Sequence, residues 1–320
     1  MEQLGAMRRA YGEALVDLGR AIPDVVALSA DVQTSDFSYL FAQAFPDRFF
    51  NVGIAEQCLI DVGAGLAYEG KVPFVNAFAV FLASRALEPI LTHLCYGEAN
   101  VKLMAGYSGV SPQMEGPTHH AITDFAVMRS LPGMTVVSPA DPVALRKLLP
   151  QVAAWPGPVY FRFSRNEVPV VLDEGSYEPT IGRAVTVRQG RDLTLIGVGT
   201  MLSRCLEAAQ RLAIEGVEAR VLDMHTIKPL DLEAVRRAGV DTGAVVTAEE
   251  HSIIGGLGGA VAEALADSDL MVPLRRIGIA DRFVESGPYV ELLDKFGMSV
   301  DDVVAAAHHV LALKSLVAPR

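Results

Sequence analysis

The sequence predicts an α/β fold of two consecutive domains, each built on a largely parallel sheet. Short apolar runs rich in valine, isoleucine and phenylalanine alternate with helical patterns, as in parallel strands joined by crossover helices. The chain has 320 residues, and a single domain usually has about 100 to 200. The segment NEVPVVLDEGSYEPTIG interrupts the alternation with acids, prolines and glycines, which indicates a linker. We therefore predict domains at 1–170 and 181–320, joined by a linker at 171–180.

The first domain is predicted to contain six strands with helices between them. Each strand is a short apolar run bounded by polar residues, glycine or proline, which favours a buried strand. The runs are DVVALSA, RFFNVG, VPFVNAF, VKLMAG, MTVVSPA and PVYFRFS. Helices are predicted to begin near Glu56, Val80, Ile122 and Pro142. These elements are expected to complete one sheet by about residue 165.

The alternation resumes in the second domain. The predicted strands are DLTLIGVG, VEARVLDM, GAVVTAEE and LRRIGIAD. Helices are predicted near 201–215, 231–238 and 257–267, where the apolar residues recur at helical spacing. The second domain is therefore expected to repeat the parallel α/β architecture of the first.

Two glycine-rich turns in the second domain resemble anion-binding loops. In LIGVGTMLSRCLEAA, Gly197 and Gly199 follow a strand and open a helix, but Leu202 stands where a dinucleotide fingerprint has its third glycine. A plain strand-to-helix turn is the better interpretation. In EEHSIIGGLGGAVAEAL the glycines allow either an anion cradle or close packing of another backbone, and we favour packing.

Charge and composition exclude several classes of partner. The formal net charge of -11 gives no basic surface for nucleic acid or for anionic membranes. We find no apolar run of about 18 residues and no secretory signal pattern. The cysteines Cys58, Cys95 and Cys205 lie in apolar helical patterns without metal-binding spacing, so we expect buried thiols in a reducing compartment, the cytoplasm.

A candidate site lies at the carboxyl ends of the first-domain strands, where open α/β sheets bind ligands. Glu56 opens a helix after a strand, although a carboxylate there is also stabilised by the helix dipole without any ligand. The next strand brings Phe78 and Phe81 to the same edge. Aromatic residues at such a place pack in the core more often than they bind a ligand.

A polar loop, GYSGVSPQMEGPTHHAITD, follows one strand later and carries Glu115 and His119. A loop this polar between apolar elements indicates a site, although a surface turn with His119 capping the next helix is the simpler alternative. The last strand of the domain ends in Arg162 and Arg165, which we expect on one face. They suit a phosphate or a carboxylate, but also an ordinary salt bridge.

Six motifs, in their order and spacing, resemble the pyrimidine-binding and C-terminal domains of the transketolase family. They are FNVGIAEQ, FAVFLASRALEPI, EGPTHH, MTVVSPAD, FRFSRNEVP and EEHSIIGGLGG. The resemblance spans nearly the whole chain, and six ordered motifs are far more specific than any one of them. It implies a thiamine diphosphate enzyme that moves a two-carbon ketol unit from a ketose to an aldose.

The resemblance assigns a role to the buried acid. In the family the glutamate of the GIAEQ-type motif, here Glu56, bonds N1′ of the cofactor aminopyrimidine and promotes the imino tautomer that activates the thiazolium C2. Apolar surroundings suit this role because burial favours a carboxyl that shares a proton with a ring nitrogen over a bare anion. Phe81 would stack on the pyrimidine with Phe78 beside it, and Asp31 resembles an acid near the cofactor and the dimer interface.

Substrate contacts are implied on the same basis. His119 would touch the substrate hydroxyls or carbonyl, and Arg165 matches the phosphate-binding arginine of the family. Arg8 and Ser35 fall where further phosphate contacts would lie. The pocket also departs from the family pattern, because Tyr107 stands where many members have histidine and Glu115 replaces the acid of a GEDG segment. The exact donor and acceptor sugars therefore do not follow from the sequence.

The resemblance also implies a partner chain. A full transketolase has an N-terminal domain that binds the cofactor diphosphate through a metal, beginning with a Gly-Asp-Gly motif that this sequence lacks. We therefore expect a separate N-terminal subunit that supplies the ligands of Mg²⁺, with no metal ligand on this chain. Two copies of each subunit are expected in the assembly, with copies of this chain paired.

Three other interpretations compete with the split transketolase. The beta subunit of a 2-oxo-acid dehydrogenase decarboxylase component has the same size and the same need for a partner, but FRFSR suits a phosphorylated sugar better. A 1-deoxyxylulose-phosphate synthase shares the glutamate and histidine motifs but is normally one long chain. A non-catalytic assembly subunit would have no need of Glu56, Phe81 and His119 together.

Overall fold

The computed structural model describes residues 3–317, and two α/β domains with mostly parallel sheets follow one another along the chain, as predicted. The strands of the first part are β1 (Leu4–Ala6), β2 (Val25–Ser29), β3 (Phe49–Asn51), β4 (Val72–Phe78), β5 (Lys102–Gly106), β6 (Thr135–Val137), β7 (Val159–Arg162) and β8 (Glu167–Pro169). Its α-helices are α1 (Met7–Ala21), α2 (Gln33–Asp36), α3 (Tyr39–Ala44), α4 (Glu56–Tyr68), α5 (Ala79–Ala83), α6 (Leu87–Pro89), α7 (Asp124–Ser130) and α8 (Pro142–Ala154). Short 3₁₀-helices lie at Pro46–Arg48 and Gln113–Glu115, and a π-helix lies at Ile90–Tyr96.

The second part repeats this architecture. Its strands are β9 (Val185–Arg188), β10 (Leu193–Gly197), β11 (Ala219–Asp223), β12 (Thr226–Lys228), β13 (Val245–Ser252) and β14 (Leu274–Ile279). Its α-helices are α9 (Met201–Ile214), α10 (Leu232–Arg237), α11 (Leu257–Asp267), α12 (Tyr289–Lys295) and α13 (Val300–Val317), with a π-helical turn at Ala238–Thr242 after α10. The strands β14-β13-β10-β11-β9 form one sheet, in which only β9 is antiparallel to its neighbour.

The first sheet differs from the prediction at one edge. Its order is β12-β6-β7-β5-β4-β2-β3, and all pairs are parallel except β12 with β6. Strand β12 comes from beyond residue 181, and it places Thr226 opposite Val137. The expectation that this sheet is complete by residue 165 is therefore wrong, because a strand from the later part of the chain covers its edge.

A buried acid fastens the start of the segment between the two sheets. Asp141 caps α8 by accepting from the backbone N–H of Ala144 at 2.9 Å, and Pro142 follows at the first helical position. Its second oxygen accepts from the N–H groups of Val171 and Leu172, each at 2.9 Å. This one buried carboxylate thus ties the start of α8 to the start of the predicted linker.

The segment Tyr289–Leu316 is long and apolar enough to cross a membrane by length and composition alone, although no such segment was expected from the sequence. In the structure it is divided into α12 and α13. Helix α13 packs on β13, β14 and α9, and it buries Val303, Ala307 and Val310 completely or almost completely. This packing is that of a helix covering one face of an α/β sheet.

The two glycine-rich turns have distinct roles in packing. Gly197 ends β10 so close to α9 that a Cβ there would lie 3.0 Å from the Cα of Leu202. At the start of α11 the buried carboxylate of Glu249 accepts from the N–H groups of Leu257 and Gly258 at 2.7 and 2.8 Å. The helix N-terminus does bind an anion, but that anion is a side chain of the same domain.

The three thiols differ in exposure, so the prediction of buried thiols is wrong for one of them. Cys58 is exposed on α4, whereas Cys95 and Cys205 are buried. Burial raises the pKa of Cys95 to about 11 and that of Cys205 to about 12. We expect one fast-reacting thiol per folded chain in a titration with a disulfide reagent, and none in the Cys58→Ser variant. Two thiols reacting in the fast phase would contradict this assignment.

Candidate active site

Glu56 begins α4, and only 2% of its surface is exposed. Its partner is Arg85, whose Nη1 donates to both carboxylate oxygens at 2.9 and 2.8 Å. This ion-pair contact compensates for the burial of the carboxyl group. The sequence analysis missed Arg85, although it lies inside the FAVFLASRALEPI motif.

An aromatic surface adjoins this ion pair. The guanidinium carbon of Arg85 lies 4.5 Å from the ring centroid of Phe81, and the ring of His119 meets Phe81 edge-on at 5.4 Å. Phe78 stacks on Tyr107 with centroids 4.1 Å apart and planes inclined by 20°. A row of rings thus runs from the buried acid to the loop that follows β5.

Two arginines flank the far end of this row. The guanidinium carbons of Arg8 and Arg165 lie 5.6 and 5.3 Å from the ring centroid of Tyr107. Arg8 donates to the backbone carbonyl of Ser35 at 2.6 Å, and Glu115 lies 4.0 Å from Arg165. Both arginines are partly exposed, with Glu115 near Arg165 and the buried Asp36 near Arg8. Such a pair suits the anionic end of a small molecule.

The structure separates the two arginines that were expected on one face. Arg162 is buried in β7, where its Nε donates to Asp124 at 2.7 Å. Arg165 lies past the end of the strand and faces Tyr107. The prediction of a shared face is wrong, because residues three apart on an extended chain point to opposite sides. Arg162 is therefore a structural residue, as the salt-bridge alternative proposed.

Asp31 lies outside this row of contacts. It follows β2 at a φ of 60° and is bound to Asn51, whose Nδ2 donates to the Asp31 carboxylate at 2.9 Å. The Asn51 oxygen accepts in return from the backbone N–H of Asp31 and from that of Gly53. Asp31 is exposed. Its role near a cofactor or an interface stays a prediction.

Metal ligands were expected on a partner chain. Within residues 3–317, the structure has no cluster of three or more histidine, cysteine, aspartate or glutamate residues suited to a metal ion.

Asp36 is a buried acid that the sequence analysis did not single out. It is 2% exposed, one oxygen accepts from the N–H of Ser38 at 2.8 Å, and the other has no hydrogen-bond partner. Burial raises its pKa from 3.8 to about 6. Asp36 directly follows Ser35, so this buried acid is adjacent to the residue whose carbonyl accepts from Arg8.

This pKa predicts a pH-dependent stability. The folded chain holds the proton of Asp36 up to about pH 6 and the unfolded chain only to about 3.8, so the stabilising contribution falls as pH rises between these values. We expect the free energy of unfolding of Asp36→Asn, taken relative to that of wild type, to rise by roughly 2 to 3 kcal/mol from pH 4 to pH 7. Urea unfolding at both pH values, with exposed Asp17→Asn as control, measures this gain. An equal difference between variant and wild type at both pH values would contradict it.

Two protein-family models match this chain. The family model described as the transketolase pyrimidine-binding domain matches residues 5–171, and that of the transketolase C-terminal domain matches residues 182–303. The chain belongs to the transketolase family.

Similar chains in this family are separate subunits. A 6-deoxy-6-sulfo-D-fructose transketolase subunit of Clostridium sp. (strain MSTE9) is 41% identical, over 97% of this chain and 95% of that protein. An apulose-4-phosphate transketolase subunit of Phocaeicola vulgatus is 39% identical, over 94% and 96%. A solved structure described as a split-gene transketolase in an inactive beta4 tetramer matches with a TM-score of 0.90 and 46% identity, over 97% and 99%. This transketolase chain corresponds to the C-terminal subunit of a split transketolase.

Proposed function

We propose that this chain is the C-terminal subunit of a thiamine-diphosphate-dependent transketolase that moves a two-carbon ketol unit from an anionic ketose to an aldose. The observation that carries the proposal is the row of contacts from Glu56 through Arg85, Phe81, Phe78 and Tyr107 to Arg8 and Arg165, with His119 against Phe81. An acid for proton transfer, a ring platform and an anion pocket follow one another along one edge of a sheet.

The residues fit the pyrimidine half of the cofactor. Arg85 contacts both the buried carboxylate of Glu56 and the ring of Phe81, so an acid and an aromatic ring are available for the hydrogen bond at a ring nitrogen and the stacking that an aminopyrimidine needs. When bound, thiamine diphosphate supplies the nucleophilic carbon that attacks a ketose carbonyl. Glu56 would hold and return the proton at the pyrimidine nitrogen, and Phe81 would hold the ring in place.

The other residues would bind the sugar. His119, whose Nδ1 lies 3.0 Å from the Thr118 hydroxyl, would hydrogen-bond the carbonyl or a hydroxyl of the donor. Arg8 and Arg165 would bind the anionic group at its far end. The similar chains carry names with a sulfonated ketose and a sugar phosphate, which supports a donor that ends in a phosphate or a sulfonate.

A partner is part of the proposal. We propose that an N-terminal subunit supplies the diphosphate site and the ligands of Mg²⁺, and that two copies of each subunit assemble in the cytoplasm. Support comes from the similar split-gene structure, whose beta subunits alone form an inactive tetramer. The test is to purify this chain with its partner, thiamine diphosphate and Mg²⁺, and to measure ketol transfer from xylulose 5-phosphate, from a 6-sulfonated ketose and from uncharged erythrulose. No transfer from any donor would reject the proposal.

We expect Arg165→Ala to raise KM for the anionic donors by about 10- to 100-fold, because a charge-assisted hydrogen bond contributes about 1.5 to 3 kcal/mol. The KM for erythrulose should change little, since that sugar has no anionic end. Steady-state kinetics on the assembled enzyme measure both values. Arg9→Ala is the matched control, because Arg9 is exposed and pairs with Glu13 on the surface of α1. An equal rise for charged and uncharged donors would reject the anion pocket.

A further inference from the structure

The loop at residues 107–121 carries Tyr107, Glu115 and His119, and its two ends are joined. The backbone N–H of Ala121 donates to the carbonyl of Gly109 at 2.9 Å. Tyr107 and Gln113 both adopt a φ of 60°, which is uncommon for residues other than glycine. A loop in such a conformation persists only where its surroundings hold it.

A carboxylate of the second domain holds this loop. Glu250 lies in β13 and is 1% exposed. Its Oε1 accepts from the backbone N–H of Val110 at 2.7 Å. Its Oε2 accepts from the hydroxyls of Thr200 and Tyr289, both at 2.8 Å. A buried carboxylate is tolerated only with such donors, so the three bonds fix its position.

The loop is shaped to fit this acid. A Cβ on Gly109 would overlap Oε1 of Glu250, and Gly109 has a φ of +56°. Glycine adopts this conformation without steric cost, and its lack of a side chain leaves room for the carboxylate. The other end of the loop is fixed to the same strand, because Nη2 of Arg162 donates to the carbonyls of Ala121 and Glu250 at 3.2 and 2.8 Å.

We propose that Glu250 is a positioning residue of the transketolase site: it holds the loop at residues 107–121 so that Tyr107, Glu115 and His119 face the substrate. This inference rests on the proposed function, and it gives the second domain a part in substrate binding. Glu250 itself bonds the loop backbone and two hydroxyls and reaches none of the three substrate-facing side chains.

The first test uses the full chain and needs no activity. Hydrogen–deuterium exchange of the segment 108–116 is compared in wild type, Glu250→Ala and Glu250→Gln. We expect at least tenfold faster exchange in Glu250→Ala and near-wild-type exchange in Glu250→Gln, since the glutamine oxygen accepts from Val110 and its NH₂ group donates to the hydroxyls. Glu249→Ala is the control, because that equally buried acid caps α11 and does not bond the loop.

The second test measures KM and kcat of the assembled enzyme. We expect Glu250→Ala to raise KM for the donor ketose about tenfold or more, with thiamine diphosphate affinity unchanged and with rescue by Glu250→Gln. If Glu250→Ala does not fold, Tyr289→Phe replaces it, since this variant removes one donor and keeps the ring. Unchanged loop exchange, or a loosened loop with unchanged KM and kcat, would overturn the proposal. No turnover in the wild-type assembly would overturn the proposed function and this role with it, while the exchange data would still report how the loop is held.

Discussion

Glu56→Gln is expected to lower kcat for ketol transfer by about 100- to 10,000-fold in the assembled enzyme, the range that general acid–base residues contribute. The amide has the size of the carboxyl group and still accepts a hydrogen bond from Arg85, so folding should be preserved. It cannot take up and return a proton, which is the role assigned to the carboxylate. Steady-state kinetics with saturating cofactor measure the loss.

Glu69→Gln is the matched control, because Glu69 is exposed just beyond the other end of the same helix. A Glu56→Gln enzyme with more than a tenth of wild-type kcat would reject the catalytic role of Glu56. Wild-type protein that binds its partner and cofactor but shows no turnover with any donor would instead favour the non-catalytic assembly subunit.

Asp124→Ala is expected to destabilise the chain by about 3 to 5 kcal/mol, the cost of removing one partner from a buried ion pair. Asp124 is fully buried and accepts from Tyr160 at 2.8 Å and from Arg162 at 2.7 Å. Without it the guanidinium of Arg162 remains in the interior with no counterion at that nitrogen. Urea unfolding of the isolated chain measures the loss.

Asp301→Ala is the control for this experiment, because Asp301 pairs with Arg211 at an exposed position and should change stability by less than about 1 kcal/mol. A loss below about 1 kcal/mol in Asp124→Ala would show that water or neighbouring groups replace the aspartate. The same variant should loosen the carboxyl-terminal end of the loop at residues 107–121, since Arg162 bonds the carbonyl of Ala121.

Most strands were predictable because their burial is nearly complete. Strands β2, β5 and β10 are buried at every position, so their apolar runs stand out from the flanking polar residues. Helix α13 was not predicted because apolar residues occur on several of its sides and give a weak helical periodicity. Strand β12 is three residues long and pairs with a strand far away in sequence, so no local pattern marks it.

The motifs predicted which residues belong to the site, but not which of these residues contact one another. Neighbours such as His119 and His120 look alike in sequence, yet His119 meets the ring of Phe81 whereas His120 is buried with its Nε2 3.3 Å from the carbonyl of Gln113. The pairing of Glu56 with Arg85 joins positions 29 residues apart, and only the crossing of α4 with the segment after β4 brings them together. The spacing of Arg162 and Arg165 was misread, although strand periodicity separates them.

Strand β12 has a consequence for how such chains recombine. A chimera that exchanged everything after the linker with that of a relative would also replace the last strand of the first sheet. The foreign strand would have to match the N–H and C=O groups of β6, or leave an unpaired edge that invites aggregation. Domain exchange in this family should therefore succeed only when the crossover preserves the pairing between residues 136–137 and 226–228.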